Sequence, residues 1–599
     1  MVILMTTSDA LIARTGKNIQ EKATLIWNVA NTLFGAFKPH EYGLVILPMV
    51  VIKRFHDCLL PTHQAVLDTY KKVEHLAVKE GFLRTAAGYQ FYNTSPFTFE
   101  TLRADPENIN DNFRAYLNGF SDNVQDILSR MNFSAQIDRM EEAGLLYQVI
   151  VDFCSDKADM GPEKISAVDM GYIFENLVQR FSESYNEEAG AHFTSRDIIY
   201  LMCDLLVTGD QNAFNGDGIT KTVYDMTMGT SQMLTCMEER LKQLDADADV
   251  TCFGQELNPF TFGIAKADML IRGGDPDNMQ FGDTLDDDKF EGYQFDYCIS
   301  NPPFGIDWKR EAAAVEAEHK KGSAGRFGPG LPSKSDGQML FLLNGLSKLK
   351  PEGRMAIIQN GSSLFTGDAG SGQSEIRRYL IENDWLDAIV QLPNDSFYNT
   401  GIATYIWIIT KDKPASHVGQ VQLIDASKCY ESRRKSIGNK RVDITEACRD
   451  LIVKAYGEYR DNTYEQNVAS GASIVCKSRV LDSIALGYNK ITVESPLLDE
   501  EGSKVLKKGK LVADPKKRDT ENVPLDEDMD AYFAREVLPY NPDAWIDKSK
   551  TKVGYEIPFT RTFYEYKEIE PAGQIAQRIE EHEHALMQKL HDLFGKDGE

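Results

Sequence analysis

The stretch Phe295-Asp296-Tyr297-Cys298-Ile299-Ser300 runs directly into Asn301-Pro302-Pro303-Phe304, and this junction decides the fold. The first six residues are mostly apolar or β-favouring, which is typical of a strand buried in a sheet. Two consecutive prolines cannot continue a strand or open an ordinary helix, so they predict a rigid extended turn. The sequence therefore predicts a strand whose carboxyl end carries a fixed turn.

This turn offers two hydrogen-bond acceptors beside an aromatic ring. They are the side-chain carbonyl of Asn301 and the backbone carbonyl of Pro302, with Phe304 next to them. The set suits a planar amino group, because hydrogen bonds that draw both N–H groups out of a conjugated plane restore lone-pair density on nitrogen. An enzyme that methylates such an amine needs this effect. The tetrapeptide alone also fits a proline-rich turn that packs a phenylalanine.

Composition limits the class of protein. The chain has 599 residues, enough for about three or four structural units. Its nine cysteines are scattered without a C-x-x-C pair, so we expect a reducing compartment and neither a disulfide framework nor a zinc site. The amino terminus lacks the features of a signal peptide, and no apolar run approaches the ~18 residues of a membrane span. The sequence predicts a cytoplasmic protein without a membrane segment.

The net charge of −26 argues against a chain that grips nucleic acid over most of its own surface. Any DNA contact should be local or supplied by a partner. One basic segment follows the turn and is either a solvated flexible loop or a mobile lid that meets phosphates. Its cations are Lys309, Arg310, Lys320, Lys321, Arg326 and Lys334.

Hydrophobic spacing divides the chain into three predicted domains. In residues 1–165, apolar residues recur at three- and four-residue spacing, which indicates a helical domain. Residues 166–425 alternate short β-rich runs with helices, which favours an α/β fold with a mostly parallel sheet. The predicted strands are Thr222–Asp225, Thr251–Glu256, Met279–Phe281, Phe295–Ser300, Arg354–Gln359, Leu386–Leu392 and Thr404–Thr410.

The predicted third domain, residues 426–599, is a carboxyl-terminal extension. Beyond about Val421 the sequence reads as charged and irregular, with an exposed connection near Ser503–Asn522. Residues Gly573–Gly598 carry an apolar stripe that predicts one last helix. The stripe is equally compatible with packing on this chain and with binding a partner.

Carboxylates follow the predicted strands one after another. Asp225, Glu256 and Asp283 come at or just after the first three strands, and Asp296 accompanies the fourth. Any one of them is more simply a helix cap or a turn residue. Because parallel sheets bind ligands at the carboxyl ends of their strands, a series of four predicts a ligand site there.

The chain resembles the DNA-methylating (modification) subunit of type I restriction-modification systems over nearly its whole length. That family comprises class I S-adenosylmethionine-dependent N6-adenine methyltransferases with a Rossmann-like domain. The motifs that carry the resemblance are Glu41-Tyr42, Ile46-Leu47-Pro48, Asn118-Gly119-Phe120-Ser121, Gly171-Tyr172-Ile173-Phe174-Glu175, Ala191-His192-Phe193-Thr194-Ser195-Arg196, the Asn301–Phe304 turn, Gly305-Ile306-Asp307-Trp308, LGYNKITVESPL from Leu486, and Lys552-Val553-Gly554-Tyr555-Glu556-Ile557-Pro558-Phe559-Thr560.

The resemblance implies which residues hold S-adenosylmethionine. Phe193 and Thr194 would contact the methionine moiety, Glu256 the ribose and Asp283 the adenine. The turn after the first strand would line the cofactor through Asp225, Gly229, Thr230 and Ser231.

The same resemblance implies the target and the partners. Asn301, Pro302, Pro303 and Phe304 would receive an adenine flipped out of the DNA duplex, without a metal or a covalent nucleophile. A separate specificity subunit would read the sequence, and a restriction subunit would cut. The resemblance therefore implies a hetero-oligomer that acts on DNA.

The first turn departs from the family pattern. Met226 replaces a proline, Met228 a small residue, Ser231 a glycine or alanine and Gln232 the last glycine, while Ser195 replaces another proline. Glycines in such turns allow a ligand to approach the backbone closely. Gln232 either crowds the cofactor or occupies a widened turn, and we favour the widened turn.

Two other functions remain open from the sequence. Methylation of a protein glutamine amide would use the same turn, because that amide is also planar. A catalytically impaired scaffold subunit would explain the altered first turn. The helical amino-terminal segment and the carboxyl-terminal motifs favour the DNA methyltransferase.

Overall fold

The computed structural model describes residues 29–165, 169–170, 173–174, 177, 194–208, 210, 218–398, 400–469, 471–507, 509–566 and 570–594. The chain divides into two compact units, Met1–Ile557 and Pro558–Glu599. Among the described residues, no helix combines the length and the apolar character that crossing a membrane requires.

The first unit begins with a helical region built around one buried helix. Almost every residue of Tyr42–Leu59 is buried: residues 42–52 are apolar on all sides, and the buried Lys53 and Asp57 that follow pair with each other. The cluster around it also takes in Ile264 and Leu270 from the helix Pro259–Ile271, so the helical region packs on the sheet domain. The helices of this region are α1 Tyr42–Leu59, α2 His63–Val73, α3 Glu80–Ala87, α4 Phe99–Ala104, α5 Ile109–Asn118, α6 Asp122–Arg130, α7 Phe133–Glu142 and α8 Leu146–Phe153.

The helices of the following region cover both faces of a sheet. They are α9 Arg196–Thr208, α10 Gln232–Leu244, α11 Pro259–Ile271, α12 Ala312–His319, α13 Gln338–Ser347, α14 Ser362–Phe365, α15 Gly372–Glu382 and α16 Glu446–Glu458. The strands are β1 Thr220–Asp225, β2 Asp249–Glu256, β3 Met279–Phe281, β4 Phe295–Ser300, β5 Leu349–Asn360, β6 Leu386–Gln391, β7 Thr404–Thr410, β8 Gln420–Lys428, β9 Glu431–Ile437, β10 Lys440–Asp443, β11 Asn462–Asn467 and β12 Ser473–Asp482.

Ten of these strands form one sheet in the order β11-β12-β8-β6-β7-β5-β4-β1-β2-β3. The pairs β3/β2, β2/β1, β1/β4 and β4/β5 are parallel, whereas β7 runs antiparallel to both of its neighbours. Chain order reverses between β1 and β4, and open sheets bind ligands at such a switch point. All seven predicted strands are present, and the predicted α/β fold is confirmed.

The expectation of irregular structure beyond Val421 is wrong. β8, β11 and β12 extend the same sheet, and the domain boundary predicted at residue 425 falls inside β8. In β12 the buried residues Ile474, Cys476 and Ser478 alternate with more exposed charged ones such as Lys477. Such a strand, with one face toward the core, looks charged when its residues are read without their period.

A second sheet ends the first unit. It consists of β13 Gly487–Glu494 flanked by β16 Asp519–Pro524, β17 Trp545–Ile546 and β18 Lys552–Tyr555, with α17 Met529–Glu536 packed on it. Residues 503–518 are largely exposed, as predicted, and contain the hairpin of β14 Leu506–Lys507 and β15 Lys510–Leu511. The predicted connection is shorter than expected, since its last residues belong to β16.

The second unit contains α18 Phe559–Thr562 and the long helix α19 Ala572–Phe594. The prediction of a carboxyl-terminal helix is confirmed over these residues. Its apolar stripe, which includes Ile579 and Leu586, is exposed.

The buried Arg377 joins the two sheets of the first unit. Its guanidinium donates to the carbonyls of Ser363 (2.9 Å), Thr366 (2.9 Å) and Tyr555 (2.6 Å). Three backbone carbonyls from two segments therefore depend on one side chain.

We expect Arg377→Ala to lower the free energy of unfolding of the full chain by at least ~3 kcal/mol, because two buried carbonyls and one partly buried carbonyl lose their donor. The neighbouring Arg378 pairs with Glu382 at a half-exposed position, so Arg378→Ala should change stability by less than ~0.5 kcal/mol. Urea denaturation of both variants measures the difference. Equal stability of the two would contradict this role.

Candidate functional site

The candidate site lies where the parallel strands end. Asp225 is the last residue of β1, Glu256 is the last of β2, and Asp283 follows β3 by two residues. Asn301 comes directly after β4. Since these strands are parallel, their carboxyl ends share one edge of the sheet, and the predicted site residues come together there.

Hydrogen bonds connect the turn after β1 with the end of β4. The Ser300 hydroxyl donates to Oδ1 of Asp225 at 2.6 Å, and the same oxygen accepts the backbone N–H of Thr227 at 3.0 Å. The Thr227 and Ser300 hydroxyls lie 2.9 Å apart. A shift of either turn therefore moves the other. Sequence reasoning missed Thr227 and Ser300, although a hydroxyl just before the double proline was a signal.

The Glu256 carboxylate at the end of β2 holds the turn after β1 and also the residues that follow β2. The N–H of Gly229 donates to Oε2 of Glu256 at 2.8 Å, and the N–H of Asn258 donates to Oε1 at 2.7 Å. Thr230 is half-buried at the outer part of this turn. Each carboxylate oxygen keeps a second lone pair, so Glu256 can still accept hydroxyl donors from a ligand.

Two residues of this turn adopt left-handed backbone conformations. Gly229 has φ +54°, which glycine adopts freely, and Ser231 has φ +66°. Ser231 is fully buried just before α10, which begins at Gln232, itself a buried residue. A left-handed φ costs an L-residue ~1–2 kcal/mol, so the turn retains a glycine-like geometry at a serine.

Both methionines of the turn are buried against glycines of neighbouring elements. A Cβ added at Gly254 of β2 would lie 2.2 Å from Sδ of Met228. A Cβ added at Gly345 of α13 would lie 2.7 Å from Cε of Met226. The room that these large side chains need comes from the absence of side chains opposite them.

The carboxyl groups of the site resist ionisation. Burial raises the pKa of Asp225 to about 7, with a smaller contribution from the nearby Glu256. Burial also raises the pKa of Glu256 and Asp283 above their ordinary values. Within the part of the chain that the structure describes, neither Asp225 nor Glu256 has a lysine or arginine that offsets this burial. The pair therefore fits a ligand that brings its own positive charge and hydroxyl donors.

The Asn301–Phe304 turn is anchored at its first residue. Asn301 is only 7% exposed, and its Nδ2 donates to the hydroxyl of Thr194 at 2.8 Å. The amide nitrogen donates to Thr194, and Oδ1 is the atom of this side chain that can accept a hydrogen bond from a substrate. Pro302 is buried, Pro303 and Phe304 are half-buried, and Phe304 packs on the main hydrophobic cluster of the sheet domain.

Some predicted residues lie elsewhere. Phe193 falls outside the described residues. Asp296 is the second residue of β4 and not at its carboxyl end, and it accepts from the Thr222 hydroxyl and Lys350 at 2.7 Å. These partners lower its pKa despite the opposing effect of burial. Its place in the series of ligand-binding acids was therefore wrong.

The basic segment after the turn is folded, and its cations differ in role. Arg326 has a side chain only 9% exposed, bonds Asn344 (3.0 Å) and the Leu285 carbonyl (3.1 Å), and pairs with Glu318. Both readings of the segment, a flexible loop and a phosphate-binding lid, are wrong for Arg326. Lys309 and Lys334 also form ion pairs within the segment. A contact of the remaining cations with phosphate stays a prediction.

The strand order and the site at the switch point define a class I S-adenosylmethionine-dependent methyltransferase fold. A model of the family "N-6 DNA Methylase" matches residues 166–494, and a model of the "HsdM N-terminal domain" matches residues 23–153. Because the first match covers more than half of the chain, the chain belongs to the N-6 DNA methylase family. The predicted resemblance to the modification subunits of type I restriction-modification systems is confirmed.

Similarity to named proteins agrees with this family membership. The chain is 23% identical over 500 residues to the type I restriction enzyme MjaIX methylase subunit of Methanocaldococcus jannaschii, covering 78% of this chain and 84% of the relative. It is 25% identical over 327 residues to the HindI methylase subunit of Haemophilus influenzae, covering 54% and 67%. The crystal structure of the type I restriction-modification methyltransferase subunit from Streptococcus thermophilus shares the fold, with a TM-score of 0.60 at 22% identity, over 78% of this chain and 96% of that one.

The raised pKa of Asp225 predicts a pH effect on stability. A carboxyl whose pKa rises on folding holds its proton more tightly in the native state, so stability falls as pH increases from about 4 to about 7. Asp225→Asn keeps an acceptor for Ser300 and cannot ionise, so its stability should fall less over this range. Denaturation midpoints between pH 4.5 and 8 measure the effect, and the exposed Asp247→Asn serves as control. A variant as pH-sensitive as the wild type would refute the assignment.

The left-handed backbone of Ser231 predicts a gain from glycine. Ser231→Gly should raise the free energy of unfolding by ~0.5–1 kcal/mol, because relief of ~1–2 kcal/mol of strain exceeds the added entropy of the unfolded chain. Ser231→Ala keeps the Cβ and should bring no gain. Thermal and urea denaturation compare the two variants. An equal gain from alanine would show that the serine backbone is unstrained.

Proposed function

We propose that this protein transfers the methyl group of S-adenosylmethionine to N6 of adenine in DNA. It would act as the modification subunit of a complex with a separate specificity subunit and a restriction subunit. The observation that carries the proposal is the coupling of Asn301 to the cofactor turn. Ser300, its neighbour in the chain, donates to Asp225. The residues that would hold the base and those that would hold the cofactor are therefore joined by a hydrogen bond.

The cofactor part of the proposal rests on charge and on acceptor positions. S-adenosylmethionine, when bound, supplies an electrophilic methyl group on a positively charged sulfur. Asp225 and Glu256, which lack an offsetting cation among the described residues, would favour that charge, and the free lone pairs of Glu256 would accept the ribose hydroxyls. Asp283 would accept from the cofactor adenine, and Thr194 would border the methionine moiety. The backbone of Gly229, Thr230 and Ser231 would line the turn.

The substrate part rests on the Asn301–Phe304 turn. An adenine amine inside a duplex is out of reach, so the base has to leave the stack. Oδ1 of Asn301 and the carbonyl of Pro302 would accept its two N–H groups, while Pro303 keeps the turn rigid. Stacking on Phe304 would recover ~1–3 kcal/mol of the lost base stacking. With its N–H groups held by these acceptors, the amine nitrogen would be aligned with the methyl group that bound S-adenosylmethionine supplies, and this alignment would contribute much of the rate gain.

Membership in the N-6 DNA methylase family supports adenine in DNA over a protein glutamine amide. The altered first turn is the observation that favours an impaired scaffold subunit. The buried fit of Met226 and Met228 against glycines supports the intact enzyme, because both side chains are held inside the fold. Titration calorimetry with S-adenosylmethionine separates these two functions. Undetectable binding that Gln232→Gly restores would favour the scaffold.

We expect Asn301→Ala to lower methyl transfer by at least ~100-fold, because the amine loses an acceptor that acts mainly in the transition state. Cofactor affinity and melting temperature should stay at wild-type values. Thr194→Val, which removes the hydroxyl that accepts from Asn301 and keeps the Asn301 side chain, should cause a smaller loss. Incorporation of radioactive methyl groups into DNA by the complex with the specificity subunit gives the rates. Near-normal turnover of Asn301→Ala would disprove the polarising role.

The net charge of −26 predicts dependence on a partner for DNA binding. Adding the specificity subunit should raise DNA affinity strongly, and the gain should shrink as salt increases, because partner cations then release counterions from the phosphates. Fluorescence anisotropy with a labelled duplex between about 50 and 200 mM salt measures the gain in affinity. Tight sequence-specific binding by the isolated chain would contradict the prediction.

A further inference from the structure

A carboxylate outside the proposed site holds the far end of the base-binding turn. The chain reverses just after Phe304, because Gly305 has a left-handed φ of +73°. The N–H of Gly305 donates to Oδ1 of Asp336 at 3.2 Å. Asn301 and Gly305 are thus the two fixed ends of the turn, one held by Thr194 and the other by Asp336.

Asp336 also reaches the end of the next strand. Its Oδ2 accepts from Nε2 of Gln338 at 2.7 Å and lies 3.2 Å from the Ser362 hydroxyl, whose nearer acceptor is Oδ1 of Asn360 at 2.5 Å. Gln338, which is 2% exposed, donates to Oδ1 of Asn360 at 2.8 Å and accepts the Asn360 N–H at 3.0 Å. Asp336 therefore links the turn after β4 to the residues that end β5.

The neighbouring backbone makes this link rigid. The N–H of Gly337 donates to the carbonyl of Ile306 at 3.0 Å, and Nε1 of the buried Trp308 donates to the Ser333 carbonyl at 2.9 Å. Gly337 lies against Trp308, where an added Cβ would be 3.4 Å from the indole. The stretch after the turn is thereby paired with the stretch that carries Asp336.

We propose that Asp336 is a positioning residue for methyl transfer: it fixes the exit of the Asn301–Phe304 turn and so the place of Phe304 and of the Pro302 carbonyl. This inference rests on the proposed function. It adds a second anchor to the one that Thr194 provides. Reactions that depend on alignment lose about 100-fold for a displacement near 1 Å, so a loosened exit should slow turnover without weakening cofactor binding.

The test uses the full chain in complex with its specificity subunit. Asp336→Asn keeps the size of the side chain and an acceptor for Gly305 but loses one of the acceptors for Gln338 and Ser362. We expect its kcat to fall about tenfold, with the Kd for S-adenosylmethionine and the melting temperature unchanged. Asp307→Asn is the matched control, because Asp307 is an exposed acid of the same segment whose side chain pairs with Lys309. It should behave as the wild type.

A second variant tests whether the network acts as a unit. Ser362→Ala removes a hydroxyl that contacts both Asp336 and Asn360 within this link, and it should lower kcat by a smaller factor. The double variant should be no slower than Asp336→Asn alone, since both changes break the same link. Additive losses, an unchanged kcat in Asp336→Asn, or a fall in kcat that a matching rise in cofactor Kd accompanies would overturn the inference.

The proposed function and the positioning role of Asp336 can be disproved separately. If the wild-type complex leaves adenine unmethylated while it binds DNA, the proposed function fails and the positioning role falls with it. If the wild type methylates adenine and Asp336→Asn does so equally fast, only the positioning role fails. Sequencing of N6-methyladenine in DNA exposed to each complex distinguishes the two outcomes.

Discussion

One hydrogen bond ties the two halves of the site together: the Ser300 hydroxyl donates to the buried Asp225 carboxyl at 2.6 Å. It is possible only because β1 and β4 are parallel neighbours, with Tyr224 opposite Cys298. Strand order reverses at this pair, which leaves a crevice at the carboxyl ends of the strands. The hydrogen bond crosses the bottom of that crevice. Burial of Asp225 follows from the same arrangement. Its raised pKa therefore belongs to the architecture and not to one local contact.

Much of the sheet was predictable from the sequence, because strands buried on both faces are continuous apolar runs. Phe295–Ser300 and Thr404–Thr410 begin and end where the pattern indicates. The strands beyond residue 420 escaped prediction for a physical reason. β12 buries only alternate residues and carries charge on the others, so its average composition resembles that of a loop. Pairing with β8, which lies fifty residues away in the chain, is what makes it a strand.

In the site, too, the sequence indicated the residue types but only part of their positions in the fold. Residue type and strand position were enough to bring Asp225, Glu256 and Asn301 to one edge. They were not enough for Asp296, whose distance from the strand end puts it at the opposite edge. Nor could sequence separate Arg326, which is buried with Glu318, from a cation free for phosphate. The sequence shows that a side chain is charged. Only its neighbours in the fold show whether that charge can bind a ligand.

The unusual turn after β1 illustrates compensation across elements. Large residues at 226 and 228 would push the turn outward if their neighbours were large as well. Instead Gly345 faces Met226 and Gly254 faces Met228, so both side chains fit inside. Ser231 then takes the left-handed backbone that a glycine would take, and the hydrogen bond from Gly229 to Glu256 forms. Met226 and Met228 are buried in this turn because two glycines, one in β2 and one in α13, leave room opposite them.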